Sequence, residues 1–572
     1  MLPNTVEMQN VLMYASMRFL PELLVCAAIV LLLLLRVFRL AGRTHLGSVA
    51  LVLTLAILFV AVCQWGGYGF EPPESTGHNT DVMFGGLLVY DHLTVFLRCF
   101  LLGFAVLMIW LTLLTGIPDR EDSADFYCLL LGATLGMMLM ASANHLMMVF
   151  IAIEMASLPS YALAGFLKGR RQSSEAALKY VVYGGGAAGV MLYGISLLAG
   201  KFGTGYLPDL AAGYVHAIGT FDPVLILGTL FLLIGVGFKL AAVPFHFWCP
   251  DVFEGASAEV AGFLSVASKA AALALLIRLV LTFTGVDPQV PTNGNWMGVL
   301  RYLIPALAVI AGVTATFGNL AAFFQNNLKR LLAYSTIAHA GYMMMGVCAL
   351  TTPRLYLPGD RAVIGAGAVL FYLIAYLFMN LGAFAVVAFL RNQTGTEELD
   401  HMRGLVRRSP WMVVTLSLFL LSLLGIPPLI GFMAKFQIFY ALWAAGVYYW
   451  RSGETGLGFT LLALLGVGGL NSVISAVYYL RVMKVMIIEG SAEDLEGKAP
   501  TRAAEPAGNV IYATLLALVV IGLGFAWNPL SDVSDKGVER FRPHVFVAGS
   551  GGPPPGMGAG MGGPPPGGRQ EE

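Results

Sequence analysis

A helix crosses the hydrocarbon core of a bilayer with roughly 20 consecutive apolar residues, and this chain contains about 14 such runs. They lie near 19–40, 46–65, 88–115, 125–143, 145–167, 175–200, 223–246, 256–283, 301–322, 330–350, 363–390, 410–441, 457–487 and 509–527. In lipid every backbone N–H and C=O must be satisfied internally, which a helix does within one segment. The expected fold is an all-α polytopic membrane protein. Composition closes off the alternatives: of 572 residues, 58% are apolar and 12% charged, whereas a soluble domain is nearer a quarter charged. Lys plus Arg and Asp plus Glu each number 33, which leaves no basic excess to hold nucleic acid. A soluble enzyme, a disordered chain and a nucleic-acid binder are excluded. The six cysteines (Cys26, Cys63, Cys99, Cys128, Cys249 and Cys348) form no CxxC, so no thiolate-held metal or iron–sulfur cluster is expected, and no metal site. The first apolar run starts too late and runs too long for a cleavable signal peptide.

Lys and Arg in the short loops orient the spans. With the N-terminus outside, seventeen fall in inside loops, among them Arg36, Lys168, Arg171, Arg330, Arg391 and Lys484. Six fall outside: Arg18, Lys201, Arg301, Arg354, Arg361 and Arg451. An even number of spans then places both termini outside. The expected organisation is three N-terminal spans in 1–124, a five-helix unit in 125–283, a second in 301–487 and a last span at 509–527. A polar loop, 489–508, precedes that span, and a disordered Gly/Pro-rich tail occupies 549–572.

Ionisable side chains at membrane depth are costly and mark function by default. Glu154, Lys239, Lys269 and Lys435 each stand centrally in a span, one to a helix, and His339 lies within another. A structural pair needs one acid and one base, whereas here three bases and one acid are spread over four helices. Arg98 and Arg278 lie nearer helix ends and read as anchors or local pairs. Polar stripes at helical spacing accompany the charges: Glu154, Ser157 and Tyr161; Ser265 and Lys269; Ser335, His339 and Tyr342; Tyr372, Tyr376 and Asn380; Asn471, Ser475 and Tyr478. One stripe alone reads as interhelical glue. Several stripes together with central charges favour a hydrated polar path, with His339, Tyr376 and Tyr161 as further relay candidates.

Two spans are broken. Pro244 follows Lys239 in the seventh, and Pro427 and Pro428 precede Lys435 in the twelfth, where they free the carbonyls of Leu423 and Leu424. Broken helices five spans apart suggest a duplicated five-helix unit, and an odd number of spans per unit makes the two repeats inverted. Gly184, Gly186 and Gly189 spell GxGxxG inside the sixth span, without a βαβ context; close helix packing is the expected reason. No Walker A motif is present, so ATP is not expected to drive the chain.

The run PFHFWCPDVFEG (244–255) joins the seventh and eighth spans, and an SVxxK pattern ends at Lys269. With LKRLLAYSTIAHAGYMMMG and GIPPLIGFMAKF, these segments resemble the antiporter-like membrane subunits of respiratory complex I, the NADH:quinone oxidoreductases, and among them the subunit N branch. The resemblance covers about residues 15–530. It departs at Ser257 and Ala258, where the family usually carries a Pro, and the tail has no counterpart. The resemblance implies a proton-translocating module in a bacterial inner membrane, where the loop bias then puts both termini on the periplasmic side. It implies that Glu154 and Lys239 form a buried pair, that Lys269 relays protons along a central axis and that Lys435 sits at its distal end. A lysine suits such a relay because its proton affinity moves readily with burial and neighbours. Glu154 would hold Lys239 charged, and its withdrawal would favour release. The resemblance also implies that flavin and iron–sulfur clusters reside in partner subunits, that other membrane and peripheral subunits are the partners, and that the complex uses quinone. Two alternatives share the fold: a cation/proton antiporter subunit of the Mrp type, and a scaffold that no longer transports.

Overall fold

The computed structural model describes residues 13–38, 45–67, 82–119, 122–217, 222–284, 296–349, 364–490 and 504–539. Among them, fourteen helices are long and apolar enough to cross a membrane. The first three are α1 (Leu20–Val37), α2 (Leu46–Trp65) and α3 (His92–Thr115). A small antiparallel hairpin of β1 (Val82–Met83) and β2 (Leu88–Val89) leads into α3. Then come α4 (Ser123–Ser142), α5 (Leu146–Ala164), α6 (Arg171–Phe202), the short α7 (Leu207–Ala217), α8 (Pro223–Leu240), the short α9 (Trp248–Gly255) and α10 (Ala258–Thr284). The rest is α11 (Trp296–Ala322), α12 (Leu328–Cys348), α13 (Ile364–Thr394), α14 (Pro410–Leu424), α15 (Ile430–Arg451), α16 (Thr455–Ile487), α17 (Ala507–Phe525) and α18 (Asn528–Glu539).

Local chemistry sets the helix ends. Asp91 caps α3 by accepting from Thr94 N at 2.8 Å, and Asn327 caps α12 by accepting from Arg330 N at 3.1 Å. The most extensive packing joins neighbours in sequence: α11 with α12, α6 with α8, α4 with α5, and α15 with α16. At the centre α10 packs on α13, and α12 touches both. α10 is buried along its whole span, and α12 and α13 almost so, whereas α1, α2, α6 and α16 turn most of their surface outward. The polar stripes of α10, α12 and α13 therefore face protein.

Several buried ion pairs lie in this fold away from the breaks, among them Arg391 on α13 with Glu259 on α10 at 3.1 Å. Arg98 on α3 and Glu22 on α1 are fully buried, with Nε 2.6 Å from Oε1, and Arg98 Nη1 also donates to Gln64 Oε1 and the Arg18 carbonyl. Arg278 on α10 holds Asp91 with two nitrogens, at 2.8 and 3.1 Å. Arg98 and Arg278 are thus both paired, with acids 76 and 187 residues away in the chain. The amphipathic α18 was not foreseen; it folds back on α13. Residues 491–503 of the polar loop and the whole 549–572 tail lie outside the described residues.

The GxGxxG segment divides. Gly184 is buried against Tyr161, and a Cβ there would overlap the tyrosine hydroxyl, whereas a Cβ at Gly186 or Gly189 meets no atom within 4 Å. Close packing accounts for the first glycine only. Gly184→Ala should therefore push Tyr161 aside and lower the melting temperature of the solubilised assembly. Gly186→Ala should raise helix stability by roughly 0.5–1 kcal/mol. Equal melting curves for the two variants would remove the packing role of Gly184.

Candidate functional site

The breaks shape the site. Asp222 Oδ1 caps α8 by accepting from Val224 N and Leu225 N. The helix closes at Leu240 because Ala241 turns left-handed, at φ 56°, and gives its N–H to the Phe238 carbonyl. Ala242 N returns to the Gly237 carbonyl at 2.9 Å. Pro244 keeps the next residues out of helical register, and Val243 N donates to Thr314 Oγ1 at 3.0 Å, which ties the break to α11. Lys239 thus stands in the last turn of α8 and not in the middle of a span. In the twelfth span α14 stops at Leu424, where Gly425 at φ 90° closes the helix and donates to the Leu421 carbonyl. Pro427 and Pro428 follow, and α15 starts at Ile430. The freed Leu424 carbonyl accepts Lys435 Nζ at 2.9 Å. The break is thus encoded twice, by a left-handed glycine and by the prolines.

Lys239, Lys269 and Lys435 are all buried. Lys239 Nζ and Lys269 Nζ make no hydrogen bond. Lys269 Nζ lies 5.0 Å from the Trp248 ring centroid and 5.5 Å from that of Phe253, so the aromatic faces of α9 receive its charge. Lys435 Nζ lies 4.8 Å from the Tyr342 ring. Among the described residues no carboxylate is in ion-pair contact with any of the three.

The expected buried pair of Glu154 and Lys239 is a correction. The two make no ion-pair contact, and Glu154 is only half-buried. The cause is the face of α5 on which it stands. Ile151 and Leu158, one turn to either side, are 38% and 62% exposed, so the carboxylate shares an outward-facing stripe while Lys239 sits inside. Tyr161 lies one turn further on, its ring edge-to-face with Tyr180 at 4.7 Å and its hydroxyl without a hydrogen bond.

Polar side chains in separate hydrogen-bonded groups fill the bundle between Lys269 and Lys435. Asn380 Nδ2 on α13 donates to Ser265 Oγ, one turn before Lys269, at 2.5 Å. The Tyr376 hydroxyl donates to Thr336 Oγ1 at 3.0 Å. His339 is 1% exposed and is hydrogen-bonded on both ring nitrogens, Nδ1 to the Tyr372 hydroxyl at 2.7 Å and Nε2 to the Tyr479 hydroxyl at 3.2 Å. Tyr479 also bonds Ser335 Oγ at 2.6 Å. Beside it, the Tyr478 hydroxyl donates to Asn319 Oδ1 at 3.1 Å, and Asn319 Nδ2 donates to the Tyr342 hydroxyl and to Asn471 Oδ1. The stripes from five helices, α10, α11, α12, α13 and α16, thus meet in one interior. Sequence reasoning missed Tyr479, Asn319 and Trp248. Tyr479 stands four residues after Ser475, on the same stripe as Tyr478, and that spacing was the available signal.

The chemistry available is proton transfer. Buried amines, an imidazole and hydroxyls can take and pass protons, and nothing in the arrangement requires a bond to carbon. Comparison with known proteins points the same way. Residues 143–460 match the family model described as "NADH:quinone oxidoreductase/Mrp antiporter, TM". The chain is 38% identical over 518 residues to "NADH-quinone oxidoreductase subunit N" of Anaeromyxobacter sp. (strain Fw109-5), a match covering 89% of this chain and 94% of that one. It is 37% identical over 544 residues to "NADH-quinone oxidoreductase subunit N 2" of Symbiobacterium thermophilum, covering 92% of this chain and 97% of the relative. Among solved structures it is similar to a chain of respiratory complex I from Thermus thermophilus with bound aureothin, with 29% identity and a TM-score of 0.64, covering 90% of this chain and 98% of that one. A chain of the Mrp complex from Dietzia sp. DQ12-45-1b shares the fold at a TM-score of 0.72 and 19% identity, covering 94% and 99%.

Proposed function

Because this chain belongs to the NADH:quinone oxidoreductase/Mrp antiporter family of transmembrane subunits, we propose that it is the subunit N-type proton-translocating module of an NADH:quinone oxidoreductase. In this reading quinone is reduced in other subunits, which carry the flavin and iron–sulfur clusters, and the present chain moves protons. Lys239, Lys269 and Lys435 hold and release them, Glu154 biases Lys239 through space, and His339 and Tyr376 carry them between Lys269 and Lys435. Tyr161 belongs to the Glu154 side of the path. The helix breaks at Pro244 and at Pro427 and Pro428 leave backbone groups free to solvate a proton. The five-helix units, 125–283 and 301–487, act as two inverted halves, with both termini on the outer side of a bacterial inner membrane.

One observation carries the proposal: three buried ammonium groups stand on three helices with no carboxylate in contact. A scaffold gains nothing from burying them, since an unpaired buried charge costs several kcal/mol. The Mrp likeness, at 19% identity, extends to the fold, whereas the subunit N relatives match over most of both chains. Two measurements test the reading. Purification through this chain should recover flavin- and iron–sulfur-bearing subunits, whereas a cation/proton antiporter assembly without them would establish the Mrp alternative. Lys269→Ala, assembled into sealed vesicles, should lower the protons moved per electron; an unchanged ratio would leave the chain a scaffold.

A further inference from the structure

The imidazole of His339 is clamped between two phenols that belong to different helices. Tyr372 on α13 meets Nδ1 at 2.7 Å, and Tyr479 on α16 meets Nε2 at 3.2 Å. A neutral imidazole has one N–H and one bare nitrogen, so it donates to one tyrosine and accepts from the other. Both tautomers are therefore equally served with partners. Tyr479 has a second partner, Ser335 Oγ at 2.6 Å, and all three side chains are at most 1% exposed. Its ring lies beside that of Tyr478, with centroids 4.2 Å apart and the planes tilted by 48°, and the Tyr478 hydroxyl donates to Asn319.

We propose that Tyr479 is a relay residue, and that the Tyr372–His339–Tyr479 arrangement is a tautomeric proton switch on the path between Lys269 and Lys435. The step balances without a charged product. The Tyr372 hydroxyl gives a proton to Nδ1 as Nε2 gives its own to the Tyr479 oxygen. The Tyr479 hydroxyl proton moves on to Ser335 Oγ, which gives its own hydroxyl proton to a water molecule, and a hydrated proton from the aqueous path reprotonates the Tyr372 oxygen. One proton enters and one leaves, and the imidazole ends in the other tautomer. A lone histidine with one hydrogen bond could store a proton but not pass it on in this way. The inference rests on the proton-translocating reading of the preceding subsection.

The test uses the assembled complex in sealed vesicles, with protons per electron, uncoupled NADH oxidation and complex yield read together. Tyr479→Phe keeps the ring and removes the hydroxyl. Its proton-per-electron ratio should fall as far as that of Lys269→Ala, with yield and uncoupled oxidation kept. Tyr372→Phe should give the same loss, and the double variant no more than either single one, since both interrupt one wire. Tyr512→Phe removes a buried hydroxyl that donates to the Leu107 carbonyl, away from the network, and should leave the ratio unchanged. A normal ratio in Tyr479→Phe beside a lowered one in Lys269→Ala overturns the switch and leaves the general reading standing. Normal ratios in both overturn the general reading. A fall in Tyr479→Phe that follows yield, and adds to that of Tyr372→Phe, makes the tyrosine structural.

Discussion

Lys239→Met should abolish proton uptake through this chain while leaving the assembled complex as abundant as the wild type, or more so. Lys239 is 1% exposed and its Nζ has no hydrogen-bond partner. Methionine has nearly the same length and fills the same space without a charge to desolvate. Replacing buried charge by apolar volume is commonly neutral or stabilising by about 1–4 kcal/mol, so the melting temperature should hold or rise. Lys239→Arg should also stop pumping, because guanidinium does not release its proton, but its five donors find no acceptors waiting and the yield should drop. If Lys239 were a structural cation the order would reverse, with Arg tolerated and Met damaging. Proton uptake, quinone reductase activity and complex yield in vesicles separate the two, and pumping by Lys239→Arg would end the relay assignment.

Arg98→Ala should be among the most damaging substitutions outside the proposed path. It leaves Glu22, fully buried, as a lone carboxylate among α1, α2 and α3, at a cost of roughly 3–5 kcal/mol. The Gln64 side chain and the Arg18 carbonyl lose a donor as well. Little or no assembled complex is expected. The double variant Arg98→Met with Glu22→Leu removes both charges and should recover most of the yield, with proton-to-electron coupling intact. A double variant as poor as the single would mean that the ion pair does more than hold the three helices together.

These two sites differ in how visible they were beforehand. A lysine in the middle of an apolar run announces itself, so Lys239, Lys269 and Lys435 could be named from their surroundings in the chain. The prolines after Lys239 and before Lys435 could be named too, since a missing N–H must interrupt a helix wherever it occurs. The partner of Arg98 could not, because Glu22 is 76 residues away and only the packing of α1 on its neighbours brings them together. Glu154 was legible as a charge but not as half-exposed, because its stripe partners Ser157 and Tyr161 are buried while Ile151 and Leu158, one turn to either side of it, face outward. The adjacent Tyr478 and Tyr479 look interchangeable in sequence; both point inward, toward Asn319 and His339 respectively. α18 is too polar to be read as a span, and its place on α13 follows from Val538 and Ser534, which are buried there.

Lys435 and Lys239 share one further circumstance. Lys435 is held by the last carbonyl of α14, and Lys239 stands in the last turn of α8. The C-terminal end of a helix carries about half an elementary negative charge, the sum of its aligned peptide dipoles. A carboxylate counter-ion can accept the lysine's proton and so end the pair by neutralising both partners. A helix terminus cannot: its charge belongs to the backbone and has no protonation state. When such a lysine gives up its proton, what remains is a partial charge spread over a turn of carbonyls instead of a full one on two oxygens. The two broken helices thus supply a counter-charge that is permanent, weak and indifferent to pH, against which a proton can come and go many times without the site itself being consumed.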